Sequence, residues 1–234
     1  MDIALIGSGS EISIDSELYD ICYFTNSSLT RAQNLDRKKT NLIISEAMFF
    51  EENDLDKLNP IKGYSKKHSH ELRLRKYSSI DNSNLNNLTI IRSNLKKNIK
   101  ERLTKKNIIA EKVVLVSVKR KWFLLLKAMG FRGTLYFIKK LKGKKNKFFF
   151  LFSLIFLRNL PINLRPSTGI MTLIISINEF GAKHNFHMSG INEENKETYY
   201  KDFSLGEKQS MNHHFDSLYL DAIKFDKKIS LIKI

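Results

Sequence analysis

DIALIGSGS, residues 2–10, reads as a strand running into a turn. Ile3 to Ile6 are apolar without alternation, and Gly7-Ser8-Gly9-Ser10 follows directly. A short unbroken apolar run is the pattern of a strand buried on both faces, as in a parallel sheet. A glycine-rich turn after such a strand lets backbone N–H groups approach a phosphate. Two similar runs come next: YDICYFTN, ending in Asn26, and TNLIISEAMFF, Thr40 to Phe50. Together they predict an α/β protein, a Rossmann-like parallel sheet flanked by helices with a ligand at the carboxyl ends of the strands.

The second half of the chain carries the same grammar. In RPSTGIMTLIISINEFGAKHNFHMSGI, Arg165 to Ile191, a small-polar turn precedes Ile170, Leu173, Ile174 and Ile177, which sit at helical spacing. Gly181 is a natural stop, and HNFHMSGI is a strand leading into Ser189-Gly190. Phe215, Leu218, Tyr219, Ala222 and Ile223 repeat the helical spacing, and KISLIKI closes the chain as a strand. EKVVLVSVK (Glu111–Lys119) reads as another strand. WFLLLKAMGF and GTLYFIKKLKG read as short helices. No periodicity or boundary stands out in 51–110. With no Gly- or Pro-rich linker, residues 1–234 are expected to form one domain.

The chain has 234 residues and a formal charge of +16, and the cations concentrate between Leu95 and Arg158. Residues 95–160 are therefore expected to form a basic, partly amphipathic lid or insertion near a membrane. Such a surface suits an anionic membrane or a phosphate-rich glycolipid, with nucleic acid less favoured as a partner. The apolar run Phe148–Leu157 is about half the length needed to span a bilayer and fits a buried or interfacial helix. One cysteine, Cys22, excludes an internal disulfide framework. The start of the chain lacks the basic, then apolar, pattern of a signal peptide, so a cytoplasmic protein is expected, peripheral on the inner membrane face.

Several groups could carry chemistry. GSGSEI has Ile12 where a dinucleotide fingerprint needs its third glycine, and Asn26 stands where an acid should end the second strand. NAD is thereby disfavoured and a mononucleotide favoured. No GxxxxGK[ST] motif occurs. Arg165, Ser167, Thr168 and Gly169 open a helix, where backbone donors and the dipole favour an anion, or where a serine simply caps. His213 and His214 precede the last helix, where positive potential keeps an imidazole neutral and able to act as a base. The phenols of Tyr199 and Tyr200 could donate to a departing phosphate. His184 and His187 lack the partners of a zinc site.

In this order the motifs resemble bacterial sialyltransferases of glycosyltransferase family 42, and they are similar to the sialylmotif-bearing family 29 enzymes. The resemblance covers residues 2–50 and 164–234. Gly7-Ser8-Gly9-Ser10 takes the place of a GNGPS-like turn, with Ser8 in place of its asparagine. Asn26 matches the asparagine ending the second strand, whereas Ser45 or Glu46 stands where the third strand has another. Arg165, Ser167, Thr168 and Gly169 match R-x-(S/T)-(S/T)-G. Met188-Ser189-Gly190-Ile191-Asn192 is similar to L-S-G-I-D. His214, with Ala222 and Ile223, matches the histidine that opens a late helix.

The resemblance implies a GT-A-like variant of the fold and inverting, metal-independent transfer of sialic acid from CMP-sialic acid to a glycan hydroxyl. The product would belong to lipopolysaccharide or another surface glycan. It implies His214 as base, Tyr199 and Tyr200 as stabilisers of the leaving phosphate, and no metal or other cofactor. Donor binding falls to Gly7, Ser8, Gly9, Asn26, Arg165, Ser167, Thr168, Gly169, Ser189 and Gly190. Two alternatives remain: transfer from another nucleotide sugar, and a basic non-enzymatic protein that binds nucleic acid or membrane.

Overall fold

A computed structural model describes residues 1–7, 13–49, 65–91, 99–161, 164–191 and 215–234. Seven parallel strands form one sheet: β1 (Asp2–Ile6), β3 (Ile21–Thr25), β5 (Thr40–Ser45), β6 (Asn84–Ile91), β7 (Ile109–Val116), β8 (Asn185–Ser189) and β9 (Ser230–Lys233). Their order across the sheet is β7-β6-β5-β3-β1-β8-β9. Two short strands, β2 (Ile14–Asp15) and β4 (Ala32–Gln33), pair in a separate parallel ribbon. The helices are α1 (Lys66–Ser78), α2 (Ile99–Lys105), α3 (Val118–Lys140), α4 (Lys144–Ile155), α5 (Thr168–Phe180) and α6 (Asp216–Asp226). This is the Rossmann-like α/β arrangement expected from the strand pattern.

The unbroken apolar strands have a direct cause. Successive side chains point to opposite faces, and both faces are covered. Ile3, Leu5, Tyr23 and Ile43 join a core with α3, α4, α5 and α6. Ala4, Ile6, Cys22, Phe24, Leu42 and Ile44 join a second core with Ile80, Leu85, Leu88 and Ile108. Each fully buried aliphatic or aromatic side chain contributes about 1.5–3 kcal/mol, so a strand without a polar face is the stable choice here.

From β1 to β5 the chain advances in equal steps. Ile3 lies opposite Ile21 and Cys22 opposite Thr40, an offset of 18 residues each time (21 − 3 and 40 − 22). Ile14 lies opposite Ala32 in the small ribbon at the same offset. Ser16 Oγ donates to the Asn34 carbonyl, and Asn34 Nδ2 donates to Asp15 Oδ2 at 3.2 Å, which binds one connection to the next.

The basic stretch expected as a lid or insertion is, in its described part, built into this domain. β7 pairs with β6 along its length, from Asn84↔Ile109 to Ile91↔Val116. Trp122, Leu125, Ala128, Met129 and Phe137 of α3 are buried in the core. The two short helices expected over 122–143 are one element kinked at Gly130, whose φ of 66° favours glycine. Gly133, one turn on, has no room for a Cβ because the Ala222 carbonyl occupies that space. Gly133 thus lets the α3 backbone approach that of α6, while the Asp226 carboxylate fills the space beside Gly130. Among the described residues no helix is long and apolar enough to cross a membrane.

Cys22 is fully buried in β3, and that burial pushes its thiol up to about 12. Thiolate is the reactive form. Native protein at about pH 8 should leave Ellman's reagent unreacted and release one equivalent after denaturation. Rapid labelling of the native chain would show that β3 does not occupy the middle of the sheet.

Candidate functional site

The strand order reverses direction at β1. The chain moves from β1 to β3, β5, β6 and β7 on one side, then returns through α3–α5 to β8 and β9 on the other. The crevice outside the carboxyl ends of β1 and β8 is therefore the topological switch point, where open α/β sheets bind ligands. Gly7 follows β1, and Ser189 ends β8 with Gly190-Ile191 after it, so these positions meet there.

They meet closely. Gly7 N donates to the Ser189 carbonyl at 2.7 Å. A Cβ on Gly7 would fall on the Gly190 carbonyl, and Gly190 itself has φ +65°. A Cβ on Gly169, in the first turn of α5, would lie 3.1 Å from Ile191 Cγ1 and Cγ2. Three segments of the chain thus converge on Ile191, and their glycines serve that convergence.

Polar groups gather on the β3 side of the same edge. Thr25 Oγ1 and Ser28 Oγ both donate to the Ile6 carbonyl, at 3.0 and 2.8 Å, and Thr25 N donates to Ser28 Oγ at 2.7 Å. Asn26 has φ 51° and accepts from Ser45 N through Oδ1 at 3.0 Å, joining the ends of β3 and β5. Its Nδ2 pairs with nothing among the described residues. Ser27 is 1% exposed, and its Oγ is buried without a hydrogen-bond partner. Buried hydroxyls are nearly always paired, so this one stands out at the carboxyl end of β3. Thr25, Ser27 and Ser28 were not among the expected site residues. The signal was present as four small polar residues, Thr25-Asn26-Ser27-Ser28, directly after an apolar strand.

The start of α5 is already served from within. Ser167 caps it, its Oγ accepting from Ile170 N at 3.2 Å. Ser167 N donates to Asp216 Oδ1 at 2.9 Å, and Asp216 is fully buried at the start of α6. Tyr219 Oη, one turn on, donates to the Leu164 carbonyl at 2.6 Å. Arg165 turns its Nε to the Leu160 carbonyl, and partial burial lowers the guanidinium below its usual value. Thr168 is the first residue of α5 and half-buried. The Asp216 carboxylate is thus an internal anion at the positive end of this helix. Sequence reasoning passed over Asp216 and read Tyr219 only as part of the helical spacing. The hint was an acid in the first turn of the predicted last helix.

Expected site residues at the strand ends, Gly7, Asn26, Ser189 and Gly190, are brought to one edge of the sheet. Arg165, Ser167, Thr168 and Gly169 sit at the α5 start, which Gly169 brings against Ile191. Ser8, Gly9, Tyr199, Tyr200, His213 and His214 lie outside the described residues.

His184 and His187 do not share a site. His184 Nε2 lies 3.0 Å from the Phe180 carbonyl at the end of α5, and His187 Nε2 lies 3.0 Å from Asp2 Oδ1 at the start of β1. No group of three or more potential metal ligands occurs among the described residues. Comparison of the chain with protein-family models, curated proteins and solved structures returns no match.

Two outcomes follow from this geometry. Gly7→Ala should destabilise the fold by about 1–3 kcal/mol, the range for overpacking, because backbone must move to admit the methyl. Gly169→Ala should cost less, because only the Ile191 side chain must yield. Urea melts measure both, and a neutral Gly7→Ala would mean that β1 and β8 do not come together as described. At the amino end, hydrogen bonds from His187 and then Asn185 hold the Asp2 carboxyl below its ordinary value. A carboxyl depressed in the folded state adds stability above its unfolded pKa, about 4, and loses it as pH falls further. The melting-temperature gap between wild type and Asp2→Asn should therefore shrink between about pH 6 and about pH 3. A gap that stays constant would show that the pair adds nothing.

Proposed function

We propose that this protein is a glycosyltransferase that binds a nucleotide-activated sugar at the β1/β8 switch point, with CMP-sialic acid as donor. The observation that carries the reading is the unpaired Ser27 Oγ at the carboxyl end of β3, next to Asn26, whose Nδ2 pairs with nothing among the described residues. A donor and a donor–acceptor held by secondary structure at this edge suit a pyrimidine nucleotide, whose base and ribose offer complementary groups. The ordered resemblance to sialyltransferase motifs across both ends of the chain supports CMP over other nucleotides.

In this reading the donor lies across the ends of β1, β3 and β8, and the acceptor hydroxyl attacks the anomeric carbon in one inverting displacement. His214 takes the hydroxyl proton. Tyr199 and Tyr200 donate to the phosphate oxygens of the departing CMP, matching charge that grows as the glycosidic bond breaks. His214 precedes Asp216 by two residues in the chain, and Asp216 anchors α6 at the α5 start. Membrane or surface glycans are the acceptor class the reading favours.

Ser27→Ala provides a test that separates folding from binding. Deleting a buried, unpaired hydroxyl removes a desolvation penalty, so the free protein should melt at the same temperature or higher. The shift produced by CMP should fall at the same time. CMP release from CMP-N-acetylneuraminate with a mixed glycan acceptor should persist in EDTA and drop about 100-fold or more in His214→Ala. Neither release nor a CMP-induced shift in wild type would remove the donor assignment. Salt-dependent oligonucleotide binding in that case would favour the basic binding protein.

A further inference from the structure

Between Glu111 and Glu179 the chain carries fourteen lysines and arginines and no acidic residue. Helix α4 lies inside that stretch and has two unlike sides. Phe150 and Ser153 are buried, with Phe150 against Trp122 and Phe137 at ring distances of 5.4 and 4.8 Å. The outward side exposes Phe148, Ile155 and Phe156 at 61%, 71% and 59%. Phe152 links Phe148 and Phe156 in a ring ladder with centroids 5.9 and 4.7 Å apart. Lys142, Lys144 and Lys145 are exposed at the amino end of the helix. Arg158 lies past its carboxyl end, with its guanidinium 5.7 Å from the Phe152 ring centroid.

We infer that the outward face of α4 docks on an anionic lipid bilayer, lying flat in the headgroup region. The composition of the face selects this occupant. A second copy of the chain would set lysines against lysines across a stretch with no acid to answer them. A nucleic acid would satisfy the cations and leave Ile155 and its aliphatic neighbour Leu151 in water. An anionic bilayer takes both, with rings and aliphatics entering the acyl boundary and cations meeting the headgroups. Twelve residues rise about 18 Å, short of the roughly 30 Å hydrocarbon core, so the helix lies along the surface rather than across it. The inference does not rest on the nucleotide-sugar reading, since α4 packs chiefly on α3.

Flotation of the full chain with phosphatidylcholine vesicles, with and without about 30% phosphatidylglycerol, tests it in about 0.1 M salt. Wild type should float with the anionic vesicles and not with the neutral ones. The triple variant Lys142→Gln, Lys144→Gln, Lys145→Gln should bind about 100-fold more weakly, roughly fivefold for each cation. Phe148→Ser with Phe156→Ser should also lose binding, and Ile155→Ser alone should weaken it. All these positions are exposed, and thermal melts confirm that the variants fold. Failure of wild type to float, or binding that survives loss of the apolar residues, overturns the inference. So does a dimer in gel filtration, or an oligonucleotide complex, that those same apolar substitutions dissolve. CMP-induced thermal shifts are measured without lipid, so either reading can fail alone.

Discussion

From Ile3 to Ile6, β1 has no solvent-facing side, and the rest of the structure depends on that. It hydrogen-bonds to β3 on one edge and β8 on the other, while Ile3 and Leu5 enter one core and Ala4 and Ile6 enter the other. The four residues enclosed in this way, Ile3–Ile6, are all apolar, and the strand ends where the sheet ends. The strand order switches direction around it, so the crevice at its carboxyl end is a product of the same enclosure. Gly7 then has to be a glycine for steric reasons alone, because the Gly190 carbonyl occupies the place of a side chain.

A second constraint shapes the crevice. The α6 start is clamped to the α5 start by Asp216 on the Ser167 amide and Tyr219 on the Leu164 carbonyl. α5 is in turn held to β3 by Tyr23 Oη donating to Glu179 at 2.6 Å. The helix dipole at Ser167 therefore acts first on a protein carboxylate. Among the described residues, the buried polar atoms without partners are Asn178 Oδ1 on α5 and, next to Asn26 at the end of β3, Ser27 Oγ. Charge and hydrogen bonding thus set the α5 start apart as a brace and leave an unmet hydroxyl at the β3 end.

Most of the fold could be read from the sequence because enclosed strands and amphipathic helices leave strong patterns. β1, β3, β5, β7, β8 and β9, and α5 and α6, fell where runs and spacings suggested. β6 did not, since Asn86 and Asn87 interrupt it. Their polarity makes sense only beside β5, where Asn87 Nδ2 donates to Asn41 Oδ1 at 2.7 Å. α1 was missed for a related reason: KKHSHELRLRKYS offers Leu72 to the core and little else, so no helical period appears. Of the site, Gly7, Asn26, Ser189 and Gly190 were legible as strand ends. The clamps were not, because they join residues 49 and 55 positions apart.

By itself the sequence determined the fold class, the positions of the core strands and the basic character of 95–160. These are local properties, written in period, composition and turn residues. Only the tertiary structure decided strand order, the 18-residue register and the identity of the residues left unpaired at the crevice. It also decided that β7 and α3 belong to the main domain and that α4 turns aromatic rings outward. Each of these depends on which neighbour covers a given face, and a face is covered by residues far away in the chain.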